Sequence, residues 1–151
     1  MDTFEKLYRE DEKHIRRWEK NYTDKEFYAL NKNIRERLEK LLKKTKKISP
    51  REHFMCAMIF HHGFTLASSK KALTHIKIAQ ELNYTKQKWL IASIIDRNLQ
   101  LQNKPQKYGT QIIKTKSGKI KQYKLDGTIT DEERTSLGLP TLKELKKQLE
   151  N

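Results

Sequence analysis

The chain has 151 residues, a length suited to one ordinary domain and too short for a large multidomain enzyme. Hydrophobic residues make up 35% and charged residues 34%, which supports a compact core drawn from a few strongly apolar segments and excludes a fully disordered chain. Thirty-three Lys and Arg against 19 Asp and Glu give a formal charge of +14, which favours partners bearing phosphate or carboxylate groups without naming one.

The first residues, Met1 to Lys6, run on into densely charged sequence with no apolar segment of the kind a secretory signal needs, so the expected compartment is the cytosol. The longest stretch free of Lys, Arg, Asp and Glu runs from His53 to Ser69, 17 residues. It is too short and too polar to span a bilayer, and no membrane partner is expected. Cys56 is the single cysteine, which excludes an intramolecular disulfide and a Cys-rich zinc site. Its neighbours Met55, Ala57, Met58 and Ile59 predict a buried, inert thiol.

Thr3 is placed to cap a first helix with an apolar stripe of Phe4, Leu7, Tyr8, Ile15, Trp18 and Tyr22. Thr23 and Glu26 form a capping-box pattern before a second helix, whose stripe is Phe27, Leu30, Ile34, Leu38, Leu41 and Leu42. The two are expected to form a helical hairpin over residues 1–47. Lys43 to Lys47 close that half. Ser49, Pro50 and Glu52 then open a third helix whose centre, Phe54 to Phe60, is apolar on every side. Gly63 is expected to end it. A fourth helix is predicted from about Ala67 to Leu82, with Leu73, Ile76, Ala79, Gln80 and Leu82 near its inner face and Asn83 as a left-handed stop. Thr85 is expected to cap a fifth, from about Lys86 to Leu101.

Pro105 breaks the helical pattern, and Ile112–Thr115 and Ile120–Tyr123 around Ser117-Gly118 read as a short β-hairpin. Thr130-Asp131-Glu132-Glu133 begins a brief helix closed by Gly138 and Pro140, and Thr141 to Glu144 caps the last one. The expected fold is therefore mainly α: five to seven helices with a short C-terminal β-hairpin. The hairpin extension at 1–47 and a helical core at 49–151 are expected to form one compact unit.

Charge is unevenly spread. Between His53 and Leu125 the only acids are Glu81 and Asp96, against thirteen Lys and Arg. This pattern suits either an anion-attracting surface or a solubilising one. Asp96 and Arg97 follow Ile94-Ile95 in the most apolar part of the fifth helix, where unpaired charges are costly, so both are expected to have partners. Asp96 reads either as a carboxylate anchoring backbone or as one orienting a histidine, and Arg97 either as its structural counterpart or as a fork for an anion. His62 lies toward the covered surface of the third helix and reads as a core histidine or as a general acid or base. His53, His61, His62 and His75 lack metal-ligand spacing, and no metal site or cofactor is expected. Pro105 to Gln111 gathers amides, a phenol and a hydroxyl around Gly109, as loops that bind polar ligands do.

Four blocks occur in order: Ala57 to Gly63; Trp89-Leu90 with Asp96-Arg97; Pro105-Gln106-Lys107-Tyr108-Gly109-Thr110-Gln111; and Asp131 to Arg134 with Leu137 to Pro140. Together they resemble a family of small, mostly bacterial helical domains of unknown function whose signature is Gln-x-Tyr/Phe-Gly-Thr-Gln after a helix containing Asp-Arg. The resemblance covers roughly Ser49 to Leu149. It implies a shared polar set that falls here on His62, Asp96, Arg97, Gln106, Tyr108, Thr110 and Gln111, and it supplies no activity. This chain departs from the pattern at His61, where Gln is frequent, at Lys104, where Gly is common, and in its Lys-rich hairpin.

The leading expectation is a polar pocket for an anionic or phosphate-bearing ligand. In an enzymatic version His62 moves a proton, Asp96 orients it, Arg97 holds the anion, and Gln106, Tyr108, Thr110 and Gln111 place the substrate. One alternative is a nucleic-acid binder acting through its Lys-rich surfaces. The other is a protein-interaction adaptor using the N-terminal helices. Oligomeric state is not legible in the sequence.

Overall fold

The computed structural model describes residues 1–84 and 86–150. Among these are seven helices and one hairpin: α1 (Phe4–Trp18), α2 (Asp24–Lys44), α3 (Pro50–His61), α4 (Leu66–Glu81), α5 (Trp89–Leu101), β1 (Ile112–Lys114), β2 (Ile120–Gln122), α6 (Asp131–Ser136) and α7 (Leu142–Glu150). The protein is mainly helical, with the short antiparallel hairpin toward its C-terminus.

The elements begin where the capping chemistry places them. Thr23 and Glu26, Ser49 and Glu52, and Thr130 and Glu133 each exchange side-chain and backbone hydrogen bonds in complete capping boxes, and Thr141 and Glu144 do the same at α7. Each box satisfies two amides that the first helical turn would otherwise leave bare. Thr65, which the sequence reading passed over, caps α4 by accepting from the amide of Ser68. Asn83 ends α4 in the left-handed region at φ 63°, as expected. The expected cap at Thr85 lies outside the described residues. α5 starts at Trp89, three residues later than predicted, after a turn in which Gln87 is left-handed.

The chain divides into two compact units, the first ending at Tyr84 and the second formed by the residues after it. α1 and α2 both pack on α3, and α3 packs extensively on α4.

In the N-terminal unit α1 and α2 run antiparallel. Arg37 of α2 donates to Asp2 at 2.7 and 3.0 Å and to Glu10 at 2.9 Å. At the other end the Trp18 indole donates to Asp24 at 2.9 Å and stacks on Phe27. The core draws on Phe4 and Leu7 of α1, Phe27, Ile34 and Leu38 of α2, and Phe54 to Ala57, Ile59 and Phe60 of α3, each large side chain contributing about 1.5–3 kcal/mol by leaving water. Cys56 is buried, and that burial pushes its thiol up to about 12, so it is an inert core residue.

Two stripes differ from expectation. In α4 the buried positions are Ser68, Ser69, Ala72, Ile76 and Ala79, a small-residue face that admits close approach to α3. Leu82 caps the helix half-exposed. In α1 the buried stripe is Phe4, Leu7 and Asp11, so a carboxylate occupies a core position.

In the C-terminal unit, Asn103 at φ 57° turns the chain out of α5, with the Lys104 amide donating back to the Leu99 carbonyl. The hairpin pairs Ile112 with Gln122, Ile113 with Lys121 and Lys114 with Ile120. Its isoleucines are exposed, and α7 packs along β2.

Candidate functional site

The 106–111 segment is built around one buried carboxylate. Asp96 of α5 is fully buried. Its Oδ1 accepts from the amides of Lys107 and Tyr108 at 2.8 and 3.0 Å, and its Oδ2 from the amide and hydroxyl of Thr110 at 3.0 and 2.7 Å. Four donors wrap the chain into a tight arc and disperse the charge, which makes burial of the carboxylate tolerable. Asp96 is thus the anchor of the loop.

Gln106 ties the loop to the hairpin. Its buried side chain donates to the carbonyls of Gln111 and Tyr123 and accepts from the Gln111 amide. Gln111 carries the network back to α5: its Oε1 accepts from Arg97 Nε at 2.6 Å, and its Nε2 reaches Ser93 and Thr110. Asp96, Arg97, Gln106, Thr110 and Gln111, all predicted site residues, are therefore brought together, with their polar atoms largely directed at one another.

Tyr108 is the member of the set whose side chain is directed elsewhere. With Gly109 and Thr110 it lines a cleft of about 300 Å³ that also has Trp89, Ser93 and Arg134 in its walls. Burial, then the nearby Asp96 and Glu133 charges, raises the Tyr108 phenol above its ordinary pKa, so the group is a protonated hydrogen-bond donor at neutral pH.

Arg134 was not among the sequence-derived site residues. It is 1% exposed. Its Nε donates to the Pro140 carbonyl at 2.9 Å, and the Asp131 carboxylate is 4.0 Å away. Its Nη1 has no hydrogen-bond partner among the described residues. Burial presses the guanidinium below its usual pKa, the expected effect of removing a cation from water without a close counter-charge. The available signal was a single basic residue in the last turn of a short helix whose first turn is an acid-rich capping box, shortly before Leu137-Gly138-Leu139-Pro140.

Gly109 lets these groups approach. It sits at φ +79°, and a Cβ there would lie 2.4 Å from Gln122 Nε2 and 3.1 Å from Arg134 Nη2. Only glycine satisfies both the backbone angle and the space.

His62 belongs to the N-terminal unit, at the end of α3, and its Nδ1 faces Asp11 Oδ2 at 2.5 Å. The carboxylate that orients this ring is Asp11, and the Asp96 oxygens are occupied by the loop. Among the described residues no group of three or more His, Cys, Asp and Glu is arranged to hold a metal ion, and no helix is long and apolar enough to cross a membrane.

No family model matches the chain, and no curated protein or solved structure matches it.

Proposed function

We propose that the C-terminal unit binds a small organic anion, carrying phosphate or carboxylate, in the cleft beside Tyr108. The observation that carries this reading is the buried Arg134 guanidinium at the wall of that cleft, whose Nη1 has no acceptor among the described residues. A buried donor left unmade costs about 1–3 kcal/mol, and more for a charged group, so an anionic ligand would return energy that the fold forgoes. Tyr108 supplies a second donor, and the partly exposed Trp89 supplies an apolar face at the mouth. The long-range field favours the same ligands. Residues 86–125 carry ten Lys and Arg and one acid, Asp96, whose charge is spent inside the loop. The resemblance to small helical domains with a Gln-x-Tyr/Phe-Gly-Thr-Gln signature is consistent with this reading, the signature loop forming one wall of the cleft.

The test is a thermal-shift and NMR titration of the full chain with inorganic phosphate, sugar phosphates and short dicarboxylates. Binding would raise the melting temperature through linkage and shift the resonances of Trp89, Tyr108 and Gly109. Tyr108→Phe would weaken it while leaving the loop anchored by Asp96, and Arg134→Gln would abolish it. If no compound moves either the melting temperature or those resonances, the reading fails.

A second reading, nucleic-acid binding, is favoured by the hairpin, which presents Lys114, Lys116, Lys119 and Lys121 with no acid among residues 112–122. Binding through it would weaken with salt at about 0.9 log units per phosphate neutralised on duplex DNA. A flat salt response excludes it.

A further inference from the structure

We infer that the N-terminal unit carries a separate ligand site, a cleft beside α2 suited to a nucleoside monophosphate. The cleft has a volume of about 450 Å³, within the range of small-ligand pockets. Tyr28, Lys32 and Arg35, spaced four and three apart on α2, form one wall, and Gly63 and Phe64 from the α3–α4 turn form the other.

The two walls offer different chemistry. Phe64 is held in the left-handed region at φ 54°, a conformation that costs an ordinary side chain on the order of 1 kcal/mol. It places the ring 5.4 Å from Tyr28 and 6.3 Å from Phe27. Tyr28 remains 41% exposed and both rings line the cleft, an aromatic wall on which a flat heteroaromatic ring would stack.

The cationic side of the cleft is pre-aimed. Arg35 Nε donates at 2.7 Å to the Asn31 carbonyl oxygen. Asn31 is itself fully buried and fixed by its bonds to Asp11 at 2.9 Å and to the Ile59 carbonyl at 3.3 Å. The guanidinium is therefore tethered by its Nε edge, while the side chain lines the cleft, an arrangement suited to a bidentate grip on phosphate. Burial lowers the pKa of Arg35, with Glu39, Glu36 and Asp11 acting in the opposite direction. Of these acids, Glu39 is engaged by Lys71 and Asp11 by Asn31 and His62. Lys32, exposed one turn before Arg35, adds a second positive charge. Gly63 permits the approach of the two walls: a Cβ there would lie 2.9 Å from Arg35 Nε.

An aromatic corner beside two cations calls for a ring and a phosphate in one molecule. The experiment titrates the full chain separately with AMP, GMP, CMP and UMP, and with adenosine and inorganic phosphate, following backbone amide resonances. The expected result is that at least one nucleotide shifts Tyr28, Lys32, Gly63 and Phe64, and binds more tightly than either fragment. Tyr28→Ala and Lys32→Gln alter exposed side chains and keep the helical circular-dichroism spectrum. Each should weaken that nucleotide about five- to tenfold. The inference is overturned if none of the four shifts those residues, if inorganic phosphate binds as tightly as the nucleotides, or if both variants retain full affinity. The outcome is independent of the C-terminal cleft, whose ligands would shift Trp89, Tyr108 and Gly109.

Discussion

Asn31 donates its side-chain amide to the Asp11 carboxylate across 2.9 Å, and the two residues stand where the apolar stripes of α1 and α2 each skip a turn. Asp11 follows Leu7 by four and precedes Ile15 by four, while Asn31 follows Phe27 by four and precedes Ile34 by three. Both are fully buried. Between them they hold His62 and Arg35, so a polar seam runs through the apolar interface of the N-terminal unit.

Removing one member of that seam should cost more than removing two. Asp11→Ala would leave the buried Asn31 amide with only the longer bond to the Ile59 carbonyl and deprive the partly buried His62 ring of its carboxylate, at a cost of about 3–5 kcal/mol. Replacing Asp11 and Asn31 together by leucine restores an apolar stripe and should cost less than the single change. Urea denaturation of the three proteins checks the order. A loss below about 1 kcal/mol for Asp11→Ala would show that the seam is not a coupled unit.

Asp96→Ala should act locally. The change removes the acceptor of four hydrogen bonds from residues 107–110, so the loop should open on its own before the unit unfolds. Amide hydrogen exchange is the direct measurement: Lys107, Tyr108 and Thr110 should lose protection by at least about a hundredfold, which corresponds to roughly 3 kcal/mol. The amides of α3 serve as the internal reference and should stay unchanged. Preserved protection at all three loop positions would remove Asp96 from its anchoring role.

The contrast between these two sites shows what the sequence made legible. Helix starts were readable because capping boxes are local: Thr23 with Glu26, and Ser49 with Glu52, need only three residues of context. The Asp96 expectation was readable in part, because a charge after Ile94-Ile95 must be partnered, although its partners lie eleven to fourteen residues on. Asp11 was not read as a core residue, because an acid within a charged helix looks like solvated surface. The seven-residue interval between Tyr8 and Ile15 was the signal. Arg134 was missed for a related reason: a basic residue after three acids looks like solvated surface, and Gly109, whose backbone approaches it, is remote in the chain.

Glycine substitutions should separate backbone strain from crowding. Gly109 and Gly138 have similar left-handed angles, φ +79° and +73°, but a Cβ at 138 meets nothing within 4 Å, whereas one at 109 meets Gln122 and Arg134. Gly138→Ala should cost about 1 kcal/mol, from the backbone alone. Gly109→Ala should cost more by roughly 1–3 kcal/mol, through displacement of its neighbours, and should also perturb the Tyr108 cleft. Thermal denaturation of both variants compares them, and equal losses would contradict the crowding at Gly109.

Acid should weaken the N-terminal unit through a histidine pair. His53 Nδ1 and His75 Nδ1 are 2.8 Å apart, which requires one ring to donate and the other to accept. Burial, then the charge of His53, brings His75 from its ordinary 6.5 down to about 4. Burial also lowers His53, with Glu52 acting in the opposite direction. Above pH 6.5 the His75 ring is neutral whether the chain is folded or not, and no penalty arises. Between 6.5 and 4 the unfolded chain binds this proton and the folded one does not, so stability falls as pH is lowered. Below about 4 both states are protonated and the loss levels off. Allowing for the partial exposure of the ring, the effect should be on the order of 2 kcal/mol. His75→Phe keeps a ring against Phe60, whose plane lies within 19° of the imidazole, and removes the titration. Carboxylates that titrate in the same window act in both proteins, so the wild-type minus variant difference in urea-derived stability from pH 7 to 4 isolates the histidine. Parallel pH profiles for the two proteins would show that the pair takes up its proton as readily folded as unfolded.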